Sequence, residues 1–210
     1  GISPANFCWN LASGEVFETP EAVMTCSDAC FGGLSERMHK FVRDHIVPPY
    51  WADRERPVLY NSWEGCMFDF NESRLVDLGR RAKNLGCELF VLDDGWFGMR
   101  NNDQAGLGDW YENKSKFPNG LASFVKKIKA EGIKFGIWVE PEDIGIGSEK
   151  VADFDDDAFF CRHGVRVTER GRHQFDMRNE RVRAHLTAII DRLVADYGVE
   201  YFKFDYNIDA

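Results

Sequence analysis

The sequence predicts an α/β protein with four parallel strands, arranged as in a (β/α)8 barrel. Four short apolar segments alternate with three amphipathic segments after residue 57, a pattern typical of right-handed βαβ units. A doubly wound sheet shares this alternation, but the first strand-to-helix junction carries neither a G-x-G-x-x-G motif nor a P-loop. Polar residues follow all four segments, which favours the barrel because barrel active sites lie at the carboxyl ends of the strands.

The first 56 residues differ from this regular pattern. Apolar residues alternate on both sides of Gly14 and predict an antiparallel hairpin; they are Phe7, Trp9, Leu11, Val16 and Phe17. A helix is expected over residues 35–47, with Ser35 as its N-cap and Pro48 as the residue that ends it.

The four strands are expected at 58–61, 88–92, 133–139 and 201–204. The second is continuously apolar, which is typical of a strand buried on both faces of a parallel sheet. Three helices lie between them, with Asn71 as the N-cap of the first, and each ends at a glycine: Gly86, Gly132 and Gly198. Their apolar faces are formed by Leu75, Leu78, Ala82 and Leu85, then Leu121, Phe124, Val125 and Ile128, then Val182, Leu186, Ile189, Ile190, Leu193 and Val194.

Composition and charge argue against several classes of protein. The chain has 210 residues and a net charge of -9 at pH 7, whereas a nucleic-acid binder that follows phosphates needs a basic surface. No apolar run reaches the roughly 18–20 residues of a membrane span. The six cysteines form no C-x-x-C pair and the five histidines show no ligand spacing. We therefore expect reduced thiols in a cytoplasmic protein, no metal site and no cofactor.

Residues suited to sugar binding follow the expected strands. Asp93 and Asp94 follow the second strand, and Trp63 and Trp138 lie near the ends of the first and third. Carboxylates accept hydrogen bonds from hydroxyl groups, and flat indole rings offer an apolar face to a sugar ring. Because strand ends converge at one mouth of a barrel, these residues are expected to share a site.

The sharpest local pattern is Lys203-x-Asp205-x-Asn207. Residues two apart on a strand point to the same face, and an ammonium group nearby favours the ionised carboxylate that a nucleophile requires. A structural ion pair would give the same pattern. Asx-turns would likewise explain Asp93 and Asp94, and core packing would explain the tryptophans.

With these residues in place, the chain resembles the family 36 glycoside hydrolases, the large multidomain α-galactosidases. The resemblance covers nearly the full length and rests on motifs in the family's order: RPVLYNSWEGCMFDFNE, LFVLDDGWFGMRNND with LGDW, KFPNGL, KFGIWVEPE and YFKFDYN. It implies that residues 1–34 are the last strands of an N-terminal β-sandwich domain. Residues 35–56 would be a linker helix and connector, and residues 57–210 the first half of the catalytic barrel.

The resemblance also implies a role for each site residue. Asp205 matches the catalytic nucleophile, and Lys203 and Asn207 match substrate contacts beside it. Asp93 and Asp94 match the carboxylates that hold galactose hydroxyls. The remaining implied contacts are the pocket tryptophans and one arginine: Trp63, Trp138 and Arg172.

Two positions depart from the family's pattern. The motif GRHQ places the arginine contact at Arg172, but the run from there to FDMRNERVR is shorter than in the family, and ungapped counting gives Arg170 instead. Asp143 stands where the family usually has an apolar residue after EPE.

The implied reaction is the retaining hydrolysis of terminal α-D-galactosyl residues from raffinose-type or melibiose-type sugars, with transglycosylation left open. Asp205 would attack the anomeric carbon, and a second carboxylic acid about 5 Å away would protonate the leaving oxygen. Because the family takes that acid from the sixth strand, we expect this chain to be a fragment without it, inactive alone. The full-length protein is expected to be a homo-oligomer, since similar enzymes are tetramers.

Two other functions remain open. A metal-dependent barrel of the enolase or isomerase kind also has carboxylates at its strand ends, although the sequence offers no well-spaced third ligand. A non-catalytic sugar-binding barrel would keep the pocket without the chemistry. The intact context of Asp205 argues against such a loss. Neither nucleic acid nor a membrane is expected as a partner.

Overall fold

The computed structural model describes residues 9–208, and the chain divides into two compact units between residues 56 and 57. In the first unit, helix α1 (Cys30–Phe41) continues into a π-helical turn (Val42–Ile46), and the short helix α2 (Pro49–Ala52) follows. Helix α1 therefore begins before Ser35, so the predicted N-cap is wrong. No side chain caps this helix.

The predicted hairpin around Gly14 is wrong over the residues that the structure describes. Residues 9–29 contain a turn at 13–14 and no strand, and Phe7 lies outside the described residues. Trp9 is 50 % exposed and Val16 is 90 % exposed. A two-stranded hairpin is marginal unless its apolar face is covered, and these side chains are not covered.

The second unit is built on a parallel sheet. Its described strands are β1 (Leu59–Asn61), β2 (Leu89–Leu92), β3 (Lys134–Val139), β4 (Asp143–Gly145), β5 (Cys161–Arg162), β6 (Val165–Arg166), β7 (Thr168–Glu169), β8 (Arg172–Gln174) and β9 (Tyr201–Phe204). Strands β1, β2, β3 and β9 form one sheet in that order, all parallel. The four predicted strands are thereby confirmed, and their carboxyl ends lie at one edge.

The helices of this unit are α3 (Trp63–Cys66), α4 (Glu72–Asn84), α5 (Leu121–Ala130) and α6 (Glu180–Tyr197). Asn71 caps α4 as predicted, because its Oδ1 accepts a hydrogen bond from the backbone N–H of Arg74 at 3.0 Å. Gly198 ends α6 with a left-handed φ of 66°, a conformation that glycine adopts without the steric cost of a Cβ.

The main core lies between the parallel sheet and the helices α4, α5 and α6. Phe90 of β2, Phe124 of α5 and Phe135 of β3 are completely buried in it. Two predicted face residues are not buried: Leu85 is 86 % exposed and Val194 is 48 % exposed. Leu85 stands after the last turn of α4, at its C-cap, where a side chain no longer lies over the sheet.

The segment between β3 and α6 contains strands that the sequence did not reveal. Strands β4, β8 and β7 form an antiparallel sheet in that order, and β5 pairs with β6. These strands have only two or three residues each, too few for an alternating pattern to be recognised. Strand β8 matters for the site because it carries Arg172.

Within residues 9–208, no helix combines the length and the apolar character that crossing a bilayer needs. The five cysteines in the same part of the chain are free thiols.

Candidate active site

A cavity of about 320 Å3 lies at the carboxyl ends of the parallel strands. All eight residues that the sequence predicted for the site line it: Asp205, Trp63, Asp93, Asp94, Trp138, Arg172, Lys203 and Asn207. Five further residues complete the lining: Phe68, Arg100, Asp103, Glu140 and Arg170. The predicted convergence is therefore observed, while the role of each residue stays a prediction.

Asp93 joins the ends of three strands. Its Oδ2 accepts hydrogen bonds from Asn61 Nδ2 at 2.6 Å and from Lys203 Nζ at 2.8 Å. Its backbone N–H donates to Ser62 Oγ at 3.0 Å. Because Asn61 ends β1, Asp93 follows β2 and Lys203 belongs to β9, one buried carboxylate fixes the relative positions of the three strand ends.

Asp94 forms a buried ion pair with Arg100, whose Nη2 and Nε lie 2.8 Å and 3.0 Å from its oxygens. Burial raises the pKa of Asp94, and the guanidinium of Arg100 opposes that rise. Arg100 is only 1 % exposed, and its Nη1 also donates to the carbonyl of Ala105 at 3.1 Å. Arg100 was not predicted from the sequence, because it lies in an irregular loop that no periodicity or motif places beside Asp94.

Asp205 lies beyond the end of β9, and N–H donors hold its carboxylate. Trp138 Nε1 donates to its Oδ2 at 3.0 Å, and the backbone N–H of Tyr206 donates to its Oδ1 at 3.1 Å. Burial by itself raises the pKa of Asp205, but hydrogen bonds from Trp138 and Asn207 outweigh it and hold the pKa below its ordinary value. Asp205 is therefore ionised at neutral pH.

The lysine beside Asp205 makes a different contact from the one that the spacing suggested. Lys203 Nζ forms its ion pair with Asp93, and its charge is a smaller influence on the pKa of Asp205 than the hydrogen bond from Trp138. The indole of Trp138 is thus both a cavity lining and the donor that orients the carboxylate of Asp205.

The tryptophans near the strand ends divide between cavity and core. Trp63 is half-buried and lies edge-on to Phe68, with ring centroids 5.1 Å apart. Trp96, which follows the Asp93–Asp94 pair closely in the sequence, is completely buried and does not line the cavity. Its Nε1 donates to the carbonyl of Trp138 at 2.9 Å, so it supports Trp138 from the core.

Glu140 lies at the centre of the opposite side of the cavity. Its Oε1 accepts from the backbone N–H of Asn207 at 2.8 Å and from Arg172 Nη1 at 3.3 Å. Burial raises the pKa of Glu140, and Arg172 opposes the rise. Arg170 Nη1 donates to the carbonyl of Asn207 at 2.9 Å. Both candidate arginines therefore reach the cavity, Arg172 as a buried residue and Arg170 as an exposed one.

Asp143 begins β4 next to this pair and is 1 % exposed. Neither of its carboxyl oxygens has a hydrogen-bond partner among the described residues. Burial and, after it, the charge of Glu140 raise the pKa of Asp143 to about 8. The side chain is therefore mainly protonated at neutral pH, and a neutral carboxyl group costs less to bury without partners than a charged one.

Across residues 9–208, no group of three or more His, Cys, Asp or Glu side chains is arranged to hold a metal ion. The carboxylates of the cavity are instead engaged with basic groups and N–H donors.

The family model named Melibiase matches residues 16–209. The chain belongs to the melibiase family. α-Galactosidase AgaA of Geobacillus stearothermophilus is 42 % identical over 210 residues, covering 99 % of this chain and 28 % of the relative. α-Galactosidase 1 of Pediococcus pentosaceus is 38 % identical, with the same two coverages of 99 % and 28 %. These matches confirm the resemblance to family 36 glycoside hydrolases.

Solved structures of family members confirm the fold. An α-galactosidase from Lactobacillus brevis matches with a TM-score of 0.77 and 38 % identity, covering 83 % of this chain and 23 % of that chain. A variant of AgaA in complex with raffinose matches with a TM-score of 0.77 and 38 % identity, covering 83 % and 24 %. The parallel sheet and its helices are compatible with the first half of an α/β barrel. The chain spans about 28 % of the length of each of these two curated α-galactosidases.

Proposed function

We propose that the cavity is the galactose-binding part of a retaining α-galactosidase site and that Asp205 is its nucleophile. One observation carries this proposal. Asp205 is an ionised carboxylate oriented by Trp138 Nε1 at 3.0 Å, in the same cavity as the acceptor pair Asp93 and Asp94. A retaining glycosidase needs this combination, a charged nucleophile below the anomeric carbon and fixed acceptors for the sugar hydroxyls.

The residues around Asp205 suggest how a galactosyl group would be held. Asp93 and Asp94 are fixed by Lys203 and Arg100, so their remaining lone pairs can accept from hydroxyl groups without rearrangement. Trp63 and Trp138 supply the apolar surface that the ring needs. Lys203, Asn207 and Arg172 supply the donors.

In the first step, the Asp205 carboxylate would form a bond to the anomeric carbon while the glycosidic C–O bond breaks. The leaving oxygen takes a proton from a second carboxylic acid. Water, or the hydroxyl of another sugar in transglycosylation, then attacks the anomeric carbon and gives its proton to that second residue, while the bond to Asp205 breaks and returns the carboxylate. The ionised state of Asp205 suits the first step, because a protonated carboxyl group is a poor nucleophile.

We propose that the acid lies outside residues 9–208. Two carboxyl groups of the cavity have a raised pKa, Asp94 and Glu140. Asp94 is held in its ion pair with Arg100, while Glu140 is completely buried and its Oε1 accepts two N–H groups. Its geometry suits the orientation of Arg172 and Asn207. The chain covers 28 % of AgaA, which leaves ample sequence in such a protein for a further barrel strand that bears the acid.

The proposed substrates are α-galactosides of the raffinose and melibiose type. The support is the cavity together with the raffinose complex of an AgaA variant and the stachyose complex of another. Assembly of the full-length protein into a homo-oligomer and its location in the cytoplasm are further proposals that follow from the family resemblance.

The test is replacement of the nucleophile in the full-length protein. Asp205→Ala should lower the turnover of an aryl α-galactoside by about 10⁴-fold or more, the scale on which loss of a nucleophile acts in covalent catalysis. Azide added to this variant should give the β-galactosyl azide, because azide would attack the face that Asp205 has vacated. The matched control is Asp77→Ala, a half-buried carboxylate on α4 that does not line the cavity, which should keep the wild-type rate.

Wild-type turnover in Asp205→Ala would contradict the proposal. Formation of the α-galactosyl azide by Glu140→Gln would show that Glu140 is the acid, and so contradict its assignment to orientation alone. Loss of wild-type activity in EDTA would favour the metal-dependent alternative instead.

A further inference from the structure

Lys116 is a buried ammonium group outside the cavity, and all three of its N–H donors are used. Its Nζ donates to the carbonyl oxygens of Gly95 at 2.8 Å, Phe68 at 3.0 Å and Arg100 at 3.3 Å. An ammonium group has three donors and no acceptor. Lys116 is 7 % exposed, so this set of bonds replaces its hydration.

Two of the three carbonyl groups belong to residues that line the cavity, Phe68 and Arg100, and the third belongs to Gly95, the neighbour of a lining residue. Gly95 directly follows Asp94. Phe68 lines the cavity and supports Trp63 through an edge-on ring contact at 5.1 Å. Arg100 is the ion-pair partner of Asp94. One side chain therefore connects the carboxylate, its counter-ion and the aromatic side of the site.

The surroundings of Lys116 show that its charge is used for these bonds. No carboxylate within residues 9–208 forms an ion pair with it at 4.0 Å or less. Its Nζ lies 4.2 Å from the centre of the Phe70 ring, a favourable cation–π distance. The charged and titratable groups that act on it are Asp94, Cys66 and Asp69.

The backbone of Lys116 is fixed as well. Its N–H donates to the carbonyl of Asn113 at 3.1 Å, and its own carbonyl accepts from the N–H of Glu72 at 3.1 Å. The ammonium group is thus presented from a rigid turn, which is what a residue needs in order to position others.

We propose that Lys116 is a positioning residue of the galactose site, holding Asp94, Arg100 and Phe68 in the arrangement that binds the sugar. This proposal rests on the proposed function for its ligand, but the joining of the three segments can be tested without any sugar. Lys116 touches no substrate and is not a catalytic residue.

Burial lowers the pKa of Lys116 to about 8, and this gives the proposal a pH readout. The ammonium form supplies all three bonds at neutral pH. The neutral amine has two donors and cannot satisfy three carbonyl groups. Galactose affinity should therefore weaken as the pH rises through about 8.

The experiment compares Lys116→Met with Lys114→Met in the full-length protein. Lys114 lies on the same turn but is exposed and pairs with Glu112, so its replacement is a matched control. Lys116→Met should weaken galactose binding, measured as competitive inhibition of aryl α-galactoside hydrolysis, by about tenfold, and should raise KM more than it lowers kcat. Lys114→Met should change neither by more than twofold.

Two further measurements keep the proposal falsifiable. Amide hydrogen exchange over residues 66–70 and 94–101 should be faster in Lys116→Met than in Lys114→Met; equal exchange would overturn the proposal whether or not the protein hydrolyses galactosides. If Lys116→Met does not fold, galactose binding to the wild type from pH 6.5 to 9.5 decides, and a constant affinity over this range would overturn it. If Asp205→Ala keeps wild-type turnover while amide exchange is faster in Lys116→Met, the proposed function is overturned and the positioning role of Lys116 stands.

Discussion

The cavity has two sides that differ in how their charges are satisfied. The β2 side consists of Asp93, Asp94, Arg100 and Lys203, and each of these charged groups has an oppositely charged partner at 2.8 Å. The β3 side consists of Glu140 and Arg172, together with the buried Asp143, which does not itself line the cavity. Its one ion pair is longer, at 3.3 Å, and buried polar atoms on all three residues lack a partner among the described residues.

This difference suggests that the two sides of the cavity have different roles in ligand binding and in stability. Groups that are already paired keep their positions when a ligand enters, so the β2 side provides fixed acceptors. Groups with free hydrogen-bonding capacity are costly in the empty protein and can be satisfied by a ligand. The β3 side therefore gains more from an occupant, while the β2 side contributes more to the stability of the fold.

The largest expected effect is on the β2 side. Arg100→Met leaves the buried carboxylate of Asp94 without its partner, and breaking a buried pair in this way costs about 3–5 kcal/mol. The control is Arg81→Met, because Arg81 is exposed and pairs with Asp77 at 2.8 Å; it should lose less than about 1 kcal/mol. Urea unfolding followed by tryptophan fluorescence measures both.

The loss in Arg100→Met should also depend on pH. Without Arg100, burial raises the pKa of Asp94 further, so the folded state retains a proton that the unfolded chain releases. Stability of the variant should then fall as the pH rises, and its deficit should be larger at pH 8 than at pH 5. Equal losses of unfolding free energy in Arg100→Met and Arg81→Met would show that the buried pair of the β2 side contributes no more to stability than an exposed pair.

The next effect compares Arg172 of the β3 side with Arg170, the other arginine that lines the cavity. Arg172→Met removes a donor from buried Glu140, and a hydrogen bond to a charged group is worth about 1.5–3 kcal/mol. We expect KM for an aryl α-galactoside to rise roughly 10- to 100-fold. Arg170→Met removes an exposed donor to the Asn207 carbonyl and should raise KM less than roughly tenfold. The opposite order would assign the substrate contact to Arg170.

The sequence predicts one of these two sides better than the other. Asp93, Asp94 and Lys203 were found because parallel strands bring their carboxyl ends together, so position along a strand is enough to place a side chain. The helix ends at Gly132 and Gly198 were also predicted from local sequence, because glycine readily adopts the left-handed conformation that ends a helix.

What the sequence did not reveal lies in the irregular segments. Arg100 lies in a loop that no motif or repeat of 2 or 3.6 residues places. Arg172 lies on a three-residue strand, and only the family resemblance, not periodicity, pointed to it. The burial of Trp96 and the bond from Trp138 to Asp205 depend on side-chain packing between distant elements. Periodicity gives the face on which a residue lies, but not the partner that it meets there.

The smallest expected effect has the opposite sign. Asp143→Leu replaces a buried carboxyl group without hydrogen-bond partners by an apolar side chain. It should stabilise the protein by about 1–2 kcal/mol at pH 7, which is the lower part of the cost of burying an unpaired polar group. The full cost is not recovered because Leu differs from Asp in shape. The charged groups that act on Asp143 are Glu140, Arg172, Glu142 and Arg100.

The pH dependence separates charge from packing at Asp143. With its pKa raised to about 8, the folded state holds a proton that the unfolded chain releases above about pH 4, so this residue makes stability fall as the pH rises from about 4 to about 8. Asp143→Leu should remove that slope and gain most at pH 8. Asp143→Asn should remove the slope with a smaller gain, because its amide still lacks partners, and the exposed Asp157→Asn should leave the slope unchanged. A wild-type slope in Asp143→Asn would mean that another group on the β3 side holds the proton, and Glu140, whose pKa burial also raises, would then be the residue to replace.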